Sequence, residues 1–217
     1  MLDHVFTDVI GALRDAFESA FLERQAFEEH FRVDVLLGDV SWETSYGLPG
    51  EGLPPRVVAH IAFDWPSWSQ AAYRKWYLDG ELDDQPAIEM EISLRVQRIA
   101  TPPDLALIRH LLPDTSPLIG NGRLERAEVT VETIYSTSNE LDHESFMSTD
   151  APEAGSPAEH AVEVTYEGLY ELAEESLADG ASTLLDEHFG ALGGWIATML
   201  VKLGDVKYTY LPATETE

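Results

Sequence analysis

A stretch without charge near the end of an acidic chain constrains this fold more than any other feature. The chain has 40 Asp and Glu residues against 13 Lys and Arg residues, yet residues 189–201 contain no charged side chain. Large apolar residues recur there at alternating spacings of four and three, which predicts one seam of an α-helix over residues 182–203. The seam consists of Leu185, Phe189, Leu192, Ile196, Met199 and Leu203.

The opposite side of this predicted helix carries the small residues Gly190, Gly194 and Ala197. An apolar seam backed by a bare side is typical of a helix that is covered from both directions. The uncharged part spans about 20 Å at about 1.5 Å per residue, which is shorter than a membrane crossing requires. We therefore predict a central core helix. The Gly190-x-x-x-Gly194 spacing, followed by Trp195, leaves two alternatives open: close packing on a strand, or a seam with a second subunit.

The net charge of −27 limits the environment and the partners of this protein. Exposed charges repel one another over about 10 Å in 0.1 M salt but over only about 3 Å in molar salt. Dense carboxylate, no cysteine and few lysines (Lys75, Lys202 and Lys207) predict a protein adapted to high salt. An acidic protein that binds basic partners is the alternative. We exclude nucleic acid as a partner, because binding phosphates requires clustered Lys and Arg and this sequence has no such cluster.

No motif in the chain predicts catalysis, a cofactor or a metal site. The seven histidines form neither His-x-x-x-His nor His-Glu-x-x-His, the spacings that put two metal ligands on one helical face. The nucleophile elbow and the P-loop are also missing. Glu89 and Glu91 flank Met90 in a predicted strand and are typical of a surface. The N-terminus lacks a basic region before an apolar run, so we expect no signal peptide, no membrane partner and a cytoplasmic location.

The rest of the pattern predicts an α+β fold, in which an antiparallel sheet of five to seven strands has the N-terminal amphipathic helix and the long C-terminal core helix packed mainly on one face. We expect a single domain over residues 1–217, with an exposed acidic loop at 136–159. Besides residues 182–203, the predicted helices are 3–30, 67–77, 103–112 and one from Leu169 to Asp179. The predicted strands are 31–37, 40–46, 56–64, 88–96, 124–135, 162–166 and 206–210.

An insertion at residues 65–80 is the most aromatic part of the chain. Two interpretations are open for it. The aromatic residues form a local core that holds the insertion to the sheet, or they form a protein-contact surface, since Trp and Tyr are enriched at interface hot spots. The residues concerned are Trp65, Trp68, Tyr73, Trp76 and Tyr77.

The order of predicted elements resembles that of two known groups of proteins. The first half is similar to the tail-terminator and tail-completion proteins at the neck of tailed viruses, in which a helix precedes a three-stranded meander, a helix and a further strand. The helices 3–30 and 103–112 and the strands around Val33, Ile61 and Ile92 carry this resemblance. The type III secretion chaperones, with helix, three strands, helix, two strands and helix, are the second group. Both resemblances imply a non-catalytic protein that works through protein contacts, and the first implies a location in a virion.

Two functions from different classes follow from these observations. The first is a non-enzymatic structural or assembly protein, as a homo-oligomer or one subunit of a larger complex. The second is a small-molecule-binding protein or enzyme that uses a pocket between the sheet and the helix at 182–203. We expect the first, and with it no catalytic residue, no cofactor and no metal ligand.

Overall fold

The computed structural model describes residues 3–20, 27–36, 39–48, 55–80, 84–134, 159–174 and 182–211. Its helices are α1 (Asp3–Ala20), α2 (Ser67–Asp79), α3 (Leu105–Leu111) and α4 (Ser182–Gly204). Its strands are β1 (Phe27–Leu36), β2 (Asp39–Gly47), β3 (Val57–Trp65), β4 (Ala87–Ile99), β5 (Glu125–Ile134) and β6 (Glu159–Glu171). The predicted acidic loop lies outside the described residues, except that Glu159 already belongs to β6.

The strands form one antiparallel sheet of six strands in the order β1-β2-β3-β4-β6-β5. Strands β1 to β4 follow one another as a meander, and β6 then lies between β4 and β5. This arrangement confirms the predicted α+β class and the predicted sheet of five to seven antiparallel strands. Because side chains alternate along each strand, the register decides which residues meet on each face.

The two faces of the sheet differ in polarity. In β4, Ile88, Met90 and Ile92 are buried, whereas Glu89 and Glu91 between them are exposed. The period of two along a strand places these two sets on opposite faces. We call the face that packs against the helices the apolar face, and the other one the polar face.

Helix α4 confirms the core helix that the sequence predicts for residues 182–203. The expectation that the helix is covered from both directions is wrong within this chain, because Ala191, Thr198 and Lys202 on its other side are exposed. All six residues of its predicted seam are at most 3% exposed. Phe189 lies edge-on to Phe63 of β3 and to Tyr170 of β6, with ring centroids 5.7 and 4.9 Å away. Burying one such side chain stabilises the fold by about 1.5–3 kcal/mol. These ring contacts therefore pack α4 against the middle of the sheet.

Helix α1 packs along α4, with Val9, Ala12 and Leu13 buried in the same core. The predicted helix over 3–30 is too long, because Phe27 already pairs with Gly47 in the sheet. The helical spacing of apolar residues extends to Phe27, which belongs to β1. Strand pairing with distant residues overrides that local preference.

Two further predictions differ from the structure. Leu169 does not begin a helix, since β6 continues to Glu171 and pairs there with Ala87 of β4, and the part of the predicted helix after Glu174 lies outside the described residues. The predicted strand at 206–210 is reduced to one bridge between Tyr210 and Ile99. At Leu169 the partner strand, which is distant in sequence, decides the conformation.

Candidate functional site on the polar face of the sheet

The aromatic residues predicted as an interaction surface are divided between the core and the solvent. Trp65 and Tyr73 are only 2% and 8% exposed, and their ring centroids are 5.7 Å apart. Trp76 is half-buried beside Tyr73. Trp68 and Tyr77 are 50% and 55% exposed, but they lie two and a half turns apart on α2 and point in opposite directions. They do not form one continuous patch.

Ser69 holds this aromatic helix to the sheet. Its buried Oγ donates to the carbonyl oxygen of Ala87 at 2.7 Å and accepts from the Ala87 N–H at 2.8 Å. It also accepts from Nε1 of Trp65 at 2.9 Å. Gln70 adds a bond from its Nε2 to the carbonyl oxygen of Trp65. Of the two interpretations of the aromatic insertion, the local core therefore applies to Trp65 and Tyr73.

Gly190 and Gly194 of α4 lie at the border of its buried side and are partly exposed. A Cβ atom added to Gly190 or to Gly194 would meet no atom of the described residues within 4 Å. Close packing of these two glycines on a strand is therefore wrong, although Ala197 is buried. Trp195 packs edge-on against Tyr166 of β6, with ring centroids 5.1 Å apart. The seam with a second subunit stays a prediction.

A different set of side chains occupies the polar face. Glu43, His60 and Glu91 near its centre are exposed, so no described element covers this part of the sheet. Ser45 and Ser93 lie between them and are only 8% and 5% exposed. Short side chains between long ones leave shallow grooves on the face.

Two grooves of about 370 Å³ each meet at Glu91. Neither lies between the sheet and α4, where the alternative function placed a pocket. Phe63, Tyr170 and Phe189 fill that interface with contacting rings. The first groove is lined by Glu43, Ser45, His60, Ala62, Ser93 and Glu163. The second is lined by Asp64, Glu89, Met90, Glu167 and Leu169.

The strand register aligns four glutamates across five strands. Ala62 of β3 stands between Glu43 of β2 and Glu91 of β4. Glu167 of β6 lies directly opposite both Glu91 and Glu125 of β5. Opposed residues in neighbouring strands have Cβ atoms about 4.5–5.5 Å apart, and like charges at that distance destabilise a sheet. We call Glu43, Glu91, Glu167 and Glu125 the glutamate row.

The pKa of Glu91 reflects this crowding. Partial burial raises it above the usual value, and the charges of Glu167, Asp64, Glu163 and Glu43 raise it further. Arg32 of β1 stands opposite Glu43 at one end of the row, and its side chain lies outside the described part. Among the side chains that the structure describes, no Lys or Arg forms an ion pair with Glu91, Glu167 or Glu125. Negative charge is therefore concentrated where the two grooves meet.

Farther along β4, on the same face, Arg95 forms ion pairs with two carboxylates. Its Nη1 donates to Glu163 at 2.8 Å, and its Nη2 donates to Glu132 at 2.6 Å, so one guanidinium bridges carboxylates of β6 and β5. Burial by itself would lower the pKa of Arg95, but the hydrogen bonds with both carboxylates raise it. The bond from Arg95 also lowers the pKa of Glu132.

Hydroxyl groups and one histidine lie between these two charged regions. Ser45 Oγ and His60 Nδ1 are 2.6 Å apart, and Ser93 Oγ and Thr165 Oγ1 are 3.0 Å apart. A serine beside a histidine is the first part of a nucleophile and base pair. Acyl transfer also needs backbone N–H groups that are free to hold an oxyanion. Ser45 and His60 lie in strands that are paired on both sides, so the backbone N–H groups around them are engaged in the sheet.

Comparisons with protein-family models, with curated proteins and with solved structures gave no match. Among the described residues, no helix is long and apolar enough to cross a membrane. The same residues contain no group of three or more His, Asp and Glu placed to hold a metal ion. The interpretation of function therefore depends on the geometry of the polar face.

Glu89 and Glu91 are exposed, which confirms the solvent-facing side that the alternation in β4 predicts for them. The alternation does not predict a role for Glu91, because so many carboxylates make any single pairing uninformative. The alternation of Glu163, Thr165 and Glu167 in β6 is the one sequence pattern that indicates which of these side chains share the polar face. It does not predict that Glu167 opposes Glu91, because that depends on the pairing of β6 with β4.

Proposed function

We propose that this chain is a non-catalytic interaction protein that works at high salt and holds a partner protein on the polar face of its sheet. The observation that supports this proposal is the glutamate row. Like charges directly opposite one another reduce stability, and exposed side chains gain no packing from being aligned. Arrangements that oppose stability are expected where a surface serves a function.

Adaptation to high salt supports the high-salt environment that we propose. It does not explain why glutamates oppose one another in the glutamate row. Molar salt shortens the range of repulsion to about 3 Å, so a net charge of −27 becomes tolerable. Screening makes opposed carboxylates less costly without making them favourable. A surface selected only for hydration has no reason to place Glu167 between Glu91 and Glu125.

The narrower form of the proposal is a subunit of a larger assembly, such as the neck or tail of a virion. Its support is the resemblance to tail-terminator proteins, which depends on α1, on the strands around Val33, Ile61 and Ile92 (β1, β3 and β4) and on α3. Order of elements does not by itself identify a function. The polar face therefore remains the basis of the proposal, whether the partner is a virion protein or a protein of a high-salt cytoplasm.

The lack of cysteine in the chain permits a direct test with single thiols. Leu169→Cys places a thiol in the second groove, where Leu169 is 49% exposed, and Leu107→Cys on α3 is a matched control at 42% exposure. The protein is purified from its source cells at their own salt concentration, and its mass is measured by light scattering.

We expect wild type to have the mass of a stoichiometric complex. A bulky maleimide on Leu169→Cys should reduce the mass to that of the free chain, because the label occupies the contact surface. The same label on Leu107→Cys should leave the complex intact. A wild-type chain that is alone at every salt concentration contradicts the proposal, and so does a complex that survives the label at position 169.

A further inference from the structure

We infer that residues 205–211 form a strap that occupies a strand-acceptor site on β4, and that the strap leaves this site while the sheet stays folded. The site is the edge of β4 at residues 98–100, and it accepts an extended segment with aromatic side chains at alternate positions. This site lies in a different part of the molecule from the polar face, so the inference goes beyond the proposed function.

The strap begins where α4 ends, and it returns the chain to the edge of β4. The N–H of Ala100 donates to the carbonyl oxygen of Thr209 at 2.7 Å. The N–H of Leu211 donates to the carbonyl oxygen of Arg98 at 2.8 Å. The pairing of β3 with β4 ends before residue 98 is reached. The strap therefore lies beside the part of β4 that β3 leaves open.

The strap is held more weakly than a strand of the sheet. The pairing of β3 with β4 extends over residues 57–64 of β3, whereas the strap has one bridge, between Tyr210 and Ile99, with a backbone hydrogen bond on either side. All seven residues of the strap are at least partly exposed. Segments with few buried contacts and exposed backbone hydrogen bonds open locally before the whole fold does.

The contact between the strap and the sheet also contains features that reduce stability. Arg98, whose carbonyl oxygen accepts the bond from the strap, has a φ of +63° and is the only non-glycine residue with a positive φ in the described ranges. A side chain at such a φ strains the backbone. The hydroxyl of Tyr208 and Nε of Arg56 are buried without a hydrogen-bond partner among the described residues. Burial of a polar group without a hydrogen bond opposes the docking of the strap.

The strap itself shows which kind of segment the site accepts. Tyr208 and Tyr210 are partly buried and alternate with the exposed Lys207 and Thr209, which is the period of a strand with one covered face. The two tyrosine rings pack edge-on with centroids 6.0 Å apart, and the guanidinium of Arg56 lies 4.5 Å from the ring centroid of Tyr210. An open strand edge binds extended segments through its backbone groups, and contacts with alternate side chains provide specificity.

Hydrogen exchange of single amides in the full chain, measured by NMR at high salt, tests whether the strap leaves the site. Gln97 is the matched control for Ala100, because its N–H donates to the carbonyl oxygen of Arg56 at 2.9 Å and both residues are partly exposed. We expect Ala100 and Leu211 to share one protection factor, about tenfold lower than that of Gln97, since one opening breaks both bonds of the strap. Equal protection of Ala100 and Gln97 overturns the inference.

Two variants of the strap test whether it opens separately from the sheet. Tyr210→Ala removes the ring that contacts Arg56 and should lower the protection of Ala100 about tenfold further, with that of Gln97 unchanged. Lys207→Ala changes an exposed residue of the same strap and should leave both amides unchanged. If Tyr210→Ala lowers the protection of Ala100 and Gln97 equally, the strap and the sheet unfold together, and the inference is wrong.

A hexapeptide with the sequence of residues 206–211, added in large excess to the Tyr210→Ala chain, tests the acceptor site. It should restore the protection of Ala100, because it pairs with the edge of β4 that the weakened strap vacates. A control peptide with serine in place of both tyrosines should have no effect. The inference is overturned if the hexapeptide leaves the exchange of Ala100 unchanged, or if the control peptide protects Ala100 equally well.

Discussion

The apolar and polar faces belong to the same strands but differ in what they contribute to the fold. On the apolar face, Phe63 contacts Phe189 of α4, and the rings exclude water from the centre of the sheet. On the polar face, Arg95 balances two carboxylates, whereas Glu91 and Glu167 oppose each other without a cation among the described residues. The difference indicates that the apolar face supplies the stability of the fold. The polar face is then free to keep a charge arrangement that folding does not require.

The strongest test of this comparison removes a ring from the apolar face. Phe63→Ala should lower the free energy of unfolding by about 4 kcal/mol, because it leaves a cavity against Phe189 in addition to the lost burial. Urea denaturation at high salt measures the loss. The exposed Glu89→Ala on the polar face of the neighbouring strand is the control and should change stability by less than about 0.5 kcal/mol. Equal effects of the two substitutions would contradict the division of roles.

The next test concerns the balanced part of the polar face. Arg95→Met should lower the free energy of unfolding by about 1.5 kcal/mol, since Glu163 and Glu132 lose their shared donor. Much of Glu132 is exposed, so water replaces part of the interaction. Arg95→Lys keeps the charge without the fork and should fall between wild type and Arg95→Met. A stability loss for the lysine variant as large as for Arg95→Met would show that the fork is decisive and the charge is not.

The next test concerns the outer side of α4, the helix that covers the apolar face, where a substitution should increase stability. Gly194→Ala should raise the free energy of unfolding by about 0.8 kcal/mol, because alanine favours a helix and the added Cβ meets no described atom within 4 Å. Thermal melting measures the gain.

Gly194→Leu then examines the predicted seam with a second subunit. A smaller particle in light scattering at unchanged melting temperature supports the seam. Unchanged particle size shows that the two glycines have no role in assembly.

The smallest expected effect belongs to the glutamate row. Glu91→Gln should raise the free energy of unfolding by about 0.5 kcal/mol at pH 7 and low salt, since it removes a charge opposed to Glu167 and close to Asp64, Glu163 and Glu43. The folded pKa of Glu91 is raised above the usual 4.5, so the folded state holds this proton more tightly than the unfolded state. Its ionisation therefore destabilises the fold above the folded pKa, and the effect disappears below the unfolded pKa.

Chemical denaturation of wild type and Glu91→Gln over a range of pH measures this contribution. The two stabilities should differ at pH 7 and converge as the pH falls below 4.5. They should also converge in 2 M KCl, where screening reduces the repulsion. Glu187→Gln on α4 is the control and should show neither convergence. A wild type that is more stable than Glu91→Gln at pH 7 would mean that the row does not oppose folding.

The comparison of the two faces also explains what could be predicted from the sequence. The seam of α4 and the alternation in β4 were predicted correctly, because the spacing of neighbouring residues already states which side chains share a face. The glutamate row was not predicted. Glu91 and Glu167 are far apart in the chain, and their opposition depends on a register that no local pattern contains.

The sequence by itself determined the class of the fold, the central apolar helix and the excess of carboxylate, since periodicity and charge are properties of short stretches and of composition. Only the tertiary structure decided that Phe27 and Leu169 belong to strands and that β6 lies between β4 and β5. It also decided that carboxylates meet on the polar face. The physical reason is that strand pairing is selected by the burial of the whole apolar face, and the polar residues follow into whatever register that burial imposes.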